Sequence, residues 1–90
     1  MAIEVRIPTI LRQYTDGEKA VDGAGATLDE LFDDLESRHT GLRARLVDEN
    51  GLRRFVNVYL NDEDVRFLGG LETKLGDGDT VTILPAVAGG

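Results

Sequence analysis

At 90 residues the chain makes one small domain, long enough for a single core but without any run near the roughly 20 apolar residues that cross a bilayer. Its net charge of −7, with Arg and Lys scattered along the sequence, argues against nucleic-acid binding and favours a basic partner surface. The absence of cysteine excludes disulfides, thiolate metal sites and a cysteine nucleophile. The opening residues Met1-Ala2-Ile3-Glu4-Val5-Arg6 lack the apolar stretch of a signal peptide, so a cytoplasmic location is expected.

Ile3, Val5 and Ile7 alternate with Glu4 and Arg6, the pattern of a half-buried strand, and Pro8 closes it. Thr9 to Gly17 reads as a connection that turns at Asp16-Gly17, and Glu18 to Val21 as a weak second strand. Thr27 to Glu30 has the form of a capping box opening a helix, with Leu28, Leu31, Phe32 and Leu35 on one face. Asp29, Glu30, Asp33, Asp34 and Glu36 cover the other face, Arg38 and His39 fall in the last turn, and Gly41 stands as the C-cap. Leu42 to Val47 reads as a short helix or turn, and Asp48 to Gly51 as a loop. Phe55 to Leu60 is a strand by its β-branched and aromatic content, turning at Asn61 to Asp64, and Val65-Arg66-Phe67 a short one after it. Gly69-Gly70 marks a turn, Leu71 to Leu75 an irregular segment, and Asp77-Gly78-Asp79 the turn into a final strand, Thr80 to Leu84. One helix among five strands predicts an α+β two-layer domain, and a helix between the second and third strands is compatible with a β-grasp.

The last six residues, Pro85-Ala86-Val87-Ala88-Gly89-Gly90, follow a strand and carry no charged side chain and none larger than valine. Too little apolar surface is present to offset the entropy of ordering them, so 1–84 is expected to form the domain and 85–90 a flexible tail. Six extended residues reach roughly 20 Å, enough to carry a carboxylate into another protein through a channel that only glycine fits. An α-carboxylate is ionised at neutral pH and a poor electrophile until activated. Adenylation would convert it to a mixed anhydride open to an amine, a thiol or a sulfide.

No other residue set has the form of a catalytic or metal site. The helix acids are spaced as a solvated face, and Asn61 to Asp64 lacks the glycine and distal glutamate of a calcium loop. His39 and Ser37 have neither a nucleophile-elbow nor a partner nearby in sequence. Strand parity makes a different point. If Val81 and Ile83 face the helix, Leu84 faces away, as do Phe55 and Tyr59 relative to Val56 and Val58, and Pro8 relative to Ile7. Apolar groups gathered on an open sheet face predict a partner surface.

The chain as a whole resembles the ubiquitin-like sulfur-carrier family, which includes the small subunit of molybdopterin synthase and the carrier of the thiamin pathway. The opening strand, the Thr27-capped helix, Val56-Asn57-Val58, Asp77 to Val81 and Leu84 to Gly90 carry this likeness. Ile7 to Arg12, Arg54 to Asn57, Asn61 to Phe67 and Val81 to Gly90 look like the actinobacterial carriers of the O-phosphoserine-dependent cysteine pathway. The resemblance implies a β-grasp fold, a mixed sheet with one main helix packed on one face, in a protein that is a co-substrate and not an enzyme. It implies that Gly90 supplies the reacting carboxylate and that Val87, Ala88 and Gly89 thread a partner's active site. A ubiquitin-activating-like adenylyltransferase using MgATP would adenylate Gly90, and a sulfur donor would make it a thiocarboxylate. A PLP-dependent cysteine synthase would accept the sulfur onto an aminoacrylate made from O-phosphoserine. After an S-to-N acyl shift the cysteine would stay attached to Gly90 until a zinc metallopeptidase removed it. The same carrier chemistry could instead feed molybdopterin, and a covalent protein modifier joined to lysines through Gly90 is the alternative of another class. Pro8, Phe55, Tyr59 and Leu84 are the expected docking residues of a free monomer that binds neither nucleic acid nor membrane.

Overall fold

The computed structural model describes residues 2–85. Strand β1 (Ile3–Arg6) buries Ile3 and Val5 and exposes Glu4 and Arg6, as the alternation predicts. Ile7 and Pro8 follow, both buried, and the chain then winds into a 3-10 helix over Thr9–Tyr14. That segment offers no period for a sequence to reveal; its anchor is Leu11, which turns into the core. Asp16 and Gly17, both at positive φ, then reverse the chain. Thr15 at the same corner is fully buried, its hydroxyl donating to the Glu18 carbonyl at 2.8 Å. Strand β2 (Ala20–Gly23) returns antiparallel to β1, pairing Ile3 with Gly23 and Arg6 with Ala20.

Helix α1 (Leu28–Arg38) starts where the cap predicts, with the Thr27 hydroxyl oxygen accepting from the Glu30 amide. The reciprocal arm differs from a capping box. Glu30 Oε1 accepts from the amide of Ala26, one residue before the cap. Leu28, Leu31, Phe32 and Leu35 are fully buried beneath the sheet. The solvated face carries its own neutralisation, because Arg43 from α2 (Leu42–Leu46) reaches back to Asp29 at 2.6 Å and Asp33 at 3.3 Å. Arg38 pairs with Asp34 at 2.9 Å, and with the Ala24 amide this holds the Asp34 carboxyl below its usual range while raising Arg38. Amides of Gly41 and Arg43 donate to Glu36 and lower it likewise. His39 is the C-cap, and Gly41, at φ 96°, forms the left-handed corner between the two helices.

Strands β3 (Val47–Asp48) and β4 (Gly51–Leu52) form a small hairpin where the sequence suggests a loop. Strand β5 (Val56–Leu60) buries Val56 and Val58, and β6 (Glu63–Asp64) pairs with its end. Val65–Phe67 is a 3-10 turn capped by Asp64, not the expected strand. Gly69 and Gly70, both at positive φ, lead into another 3-10 turn over Gly70–Glu72. From there Thr73 and Leu75 exchange backbone hydrogen bonds with Leu28 and Ala26 and pin the start of α1.

Strand β7 (Thr80–Pro85) sits in the middle of a five-stranded mixed sheet of order β2-β1-β7-β5-β6, parallel to β1 and antiparallel to β5. One helix layer under a mixed sheet whose first and last strands are parallel neighbours is the β-grasp arrangement. The strand runs one residue past the expected Thr80 to Leu84, with Pro85 standing opposite Val56. Thr80 points its amide and its carbonyl toward Asn61, on the β5 side, so by alternation Pro85 aims its missing donor at the β1 side. β1 stops pairing with β7 at Arg6–Thr82, and no ladder bond is lost at Pro85.

The turn between β2 and α1 leaves no room for a side chain at Gly25. A Cβ there would lie 2.5 Å from the Leu31 amide nitrogen and 2.9 Å from the Glu30 carbonyl carbon, both backbone atoms of the helix. Gly25→Ala is therefore expected to destabilise the domain by about 1–3 kcal/mol, the usual cost of overpacking. Chemical denaturation should register this as a lower midpoint at unchanged slope.

Candidate functional site

The register places four side chains of the open sheet face in a compact group. Arg6, Thr82 and Tyr59 lie in one row across β1, β7 and β5, and Leu84 lies opposite Asn57 in the next. Leu84 is 45% exposed although its neighbour Ile83 is almost fully buried, so the parity reading of the last strand holds. Tyr59 is half-buried against the same face, and Phe55, just before β5, is 58% exposed with the Arg54 guanidinium over its ring. Pro8 is different. It is buried at the start of the 3-10 helix, because the chain leaves the sheet plane there and strand parity no longer applies. Val87, Ala88, Gly89 and Gly90, the expected reactive tail, lie outside the described residues.

Beside Leu84 opens a hollow of about 630 Å³ between the end of β7 and the 3-10 helix. Ile7, Pro8, Ile10, Ile83, Leu84 and Pro85 make its apolar wall, and Arg6, Arg12 and Lys19 stand at its rim. Arg12 is held there by its Nε donating to the Ile7 carbonyl at 3.1 Å, and Arg6 leans on Glu4 at 3.2 Å. Ile10 is 63% exposed and belongs to this surface, although sequence reading left it in a connection.

Phe67, 88% exposed, stands on a 3-10 turn and not on the short strand that the sequence predicts, and no pattern of the sequence points to its exposure. The 3-10 turn that carries it is fixed by Arg66, whose guanidinium donates to Asn57 Oδ1 and to the carbonyls of Arg53 and Val56. The result is a pair of apolar surfaces flanking the point where β7 ends. Such a face can hold a partner, but it has no group of three His, Asp or Glu side chains among the described residues that could hold an ion.

A small β-grasp domain that offers an apolar open face at the end of its central strand has the form of a carrier. The chain belongs to the ThiS family, whose model matches residues 5–90, and it is a sulfur carrier. It is 56% identical over 93 residues to the sulfur carrier protein CysO of Mycobacterium tuberculosis, with 100% of both chains covered. A chain in the crystal structure of the Amycolatopsis orientalis BexX/CysO complex superposes with a TM-score of 0.94 at 66% identity, covering 99% of this chain and 100% of that one. The small archaeal modifier protein 3 of Haloferax volcanii is 34% identical over 93 residues, with 100% of both chains covered. No helix among the described residues is long and apolar enough to cross a membrane.

Proposed function

We propose that this chain carries sulfur as a thiocarboxylate on Gly90 and delivers it for cysteine biosynthesis. The end-to-end identity of 56% with a mycobacterial sulfur carrier supports this reading more than any other single observation. An ionised carboxylate resists nucleophiles, so a partner adenylyltransferase with MgATP joins AMP to Gly90 and releases pyrophosphate. A sulfur donor then displaces AMP and leaves the thiocarboxylate. The thiocarboxylate sulfur adds to an aminoacrylate that a PLP-dependent cysteine synthase makes from O-phosphoserine, joining Gly90 to the new cysteine as a thioester. An S-to-N acyl shift turns this into an amide, which a zinc metallopeptidase hydrolyses to free cysteine and the Gly90 carboxylate. ATP, PLP and zinc belong to those partners. The carrier's own tasks are to dock through Leu84, Tyr59 and Phe55 and to present Val87, Ala88, Gly89 and Gly90 to each enzyme in turn.

Intact mass spectrometry of the protein purified from its own host tests this directly. The expected species is heavier by the exchange of one hydroxyl oxygen for sulfur, and a strain lacking the metallopeptidase should accumulate the carrier plus one cysteine. A carrier found only with an unmodified carboxylate in both strains would sink the proposal. The likeness to an archaeal modifier favours one second reading, a covalent tag, which would appear as larger, lysine-linked conjugates.

Leu84→Glu should weaken binding of the adenylyltransferase by more than about 2 kcal/mol, roughly thirtyfold, as for a central interface anchor. Leu84 is already largely open to solvent, so the melting temperature should hardly move. Titration calorimetry and a thermal scan of the same variant give both numbers. A large stability loss with normal binding would reverse the assignment of the two sheet faces.

A further inference from the structure

Cations that are scattered in the sequence come together in the fold. The Val56–Pro85 pair marks the exit of β7, its last pairing among the described residues. On the β1 side of that point Arg6, Arg12 and Lys19 rim the hollow. On the β5 side Arg53 and Arg54 directly precede β5, and Arg66 binds the Arg53 and Val56 carbonyls. These are six of the chain's ten Lys and Arg residues. Arg38 and Arg43, by contrast, are committed to carboxylates of α1. Around the exit only Arg6 pairs with an acid among the described residues. The side-chain partners of Arg12, Arg53 and Arg66 are neutral: backbone carbonyls and the Asn57 amide. A cationic collar with exposed Ile10, Phe55 and Leu84 inside it thus caps one end of an acidic body.

Net charge alone predicts a basic partner surface, and the collar reverses that expectation. The domain measures 36 × 30 × 25 Å. Exposed charges are screened over a Debye length of roughly 8 Å at physiological salt. A partner at the exit therefore responds to the charges nearest to it, where Arg12, Lys19 and Arg54 stand without an acid partner among the described residues. A basic mouth would place like charge against the collar. An acidic one would attract these cations and so turn the carrier exit-first on approach.

We propose, resting on the reading that a partner enzyme takes up residues 86–90, that the mouth of that partner is acidic. Its carboxylates face Arg12, Lys19 and Arg54, and an apolar side chain from it seats in the hollow against Pro8, Ile10 and Leu84. Net-negative carrier and negative mouth meet through the one positive end.

The test is ATP–pyrophosphate exchange by the adenylyltransferase of the same organism, with the full carrier varied at low and at physiological salt. The doubly reversed variant Lys19→Glu/Arg54→Glu should raise the KM for the carrier about tenfold at low salt with little change in kcat, and flatten its rise with salt. Both side chains are exposed, so the melting temperature should stay at the wild-type value. Asp77→Lys, an exposed site in the turn before β7, serves as the reversal away from the collar and should leave KM unchanged or slightly lower. A double variant with wild-type KM, or with a lower KM, would overturn the acidic mouth while leaving the carrier reading intact. No exchange with the wild-type protein would instead remove the carrier reading and this proposal with it. A salt-sensitive dimer in sedimentation, abolished by the double reversal, would assign the collar to the acidic helix of a second copy and overturn the proposal. So would retention of a duplex DNA probe that the double reversal abolishes.

Discussion

Gly89→Val should cut adenylation of the carrier by about 10²-fold or more while leaving the melting temperature of the free domain unchanged. The reacting carboxylate must come within about 3–3.5 Å of the nucleotide's α-phosphorus, and a misplacement near 1 Å costs about this much. A side chain on the penultimate residue would press against the partner's channel, and glycine also reaches backbone angles that valine avoids. Gly89→Ala should fall between valine and wild type. Pyrophosphate exchange at saturating ATP measures the loss, and unimpaired exchange by the valine variant would show that no narrow channel surrounds this residue.

On the stability side, the largest effect is expected at Phe32. Its ring is fully buried under the sheet among Leu28, Leu31 and Leu35 of the same helix. Truncation to alanine removes the largest fully buried side chain of the domain and leaves a cavity beneath the sheet, at about 3–5 kcal/mol. A domain of this size has about 5–15 kcal/mol in total, so Phe32→Ala should retain a folded state only at low temperature. Urea denaturation followed by circular dichroism would give the loss. A shift below about 1 kcal/mol would mean that the helix is not the second layer of the core.

The contrast between Phe32 and Leu84 shows why parts of this molecule are readable from residues alone. β1, α1, β5 and β7 each alternate or recur at a period set by one buried face, and there the expected elements, the α+β class and the exposure of Leu84 and Phe55 all hold. The misses share another cause. Thr9–Tyr14, Val65–Phe67 and Gly70–Glu72 are too short to express a period, and their conformations are fixed by tertiary partners: Leu11 in the core, Arg66 on the start of β5, Thr73 on the start of α1. Pro8 is buried because the chain departs from the sheet one residue earlier than parity assumes, and Pro85 is paired because the flank facing its nitrogen is vacant. The apolar open face of the sheet was legible as a pattern on β5 and β7. The hollow and the cationic collar were not, since they join residues from both ends and the middle of the sequence.

That β7 lies between β1 and β5 has a consequence for how the carrier is made. The central strand of the sheet is the last one synthesised, and its pairing with β1 joins segments some 75 residues apart (Glu4 with Thr80). High contact order of this kind delays folding until the distant partner is present. A nascent chain emerging from the ribosome holds β1, β2 and α1 with no sheet centre to close them. The core therefore completes only after residue 85 has emerged, and the sheet closes last at its own centre.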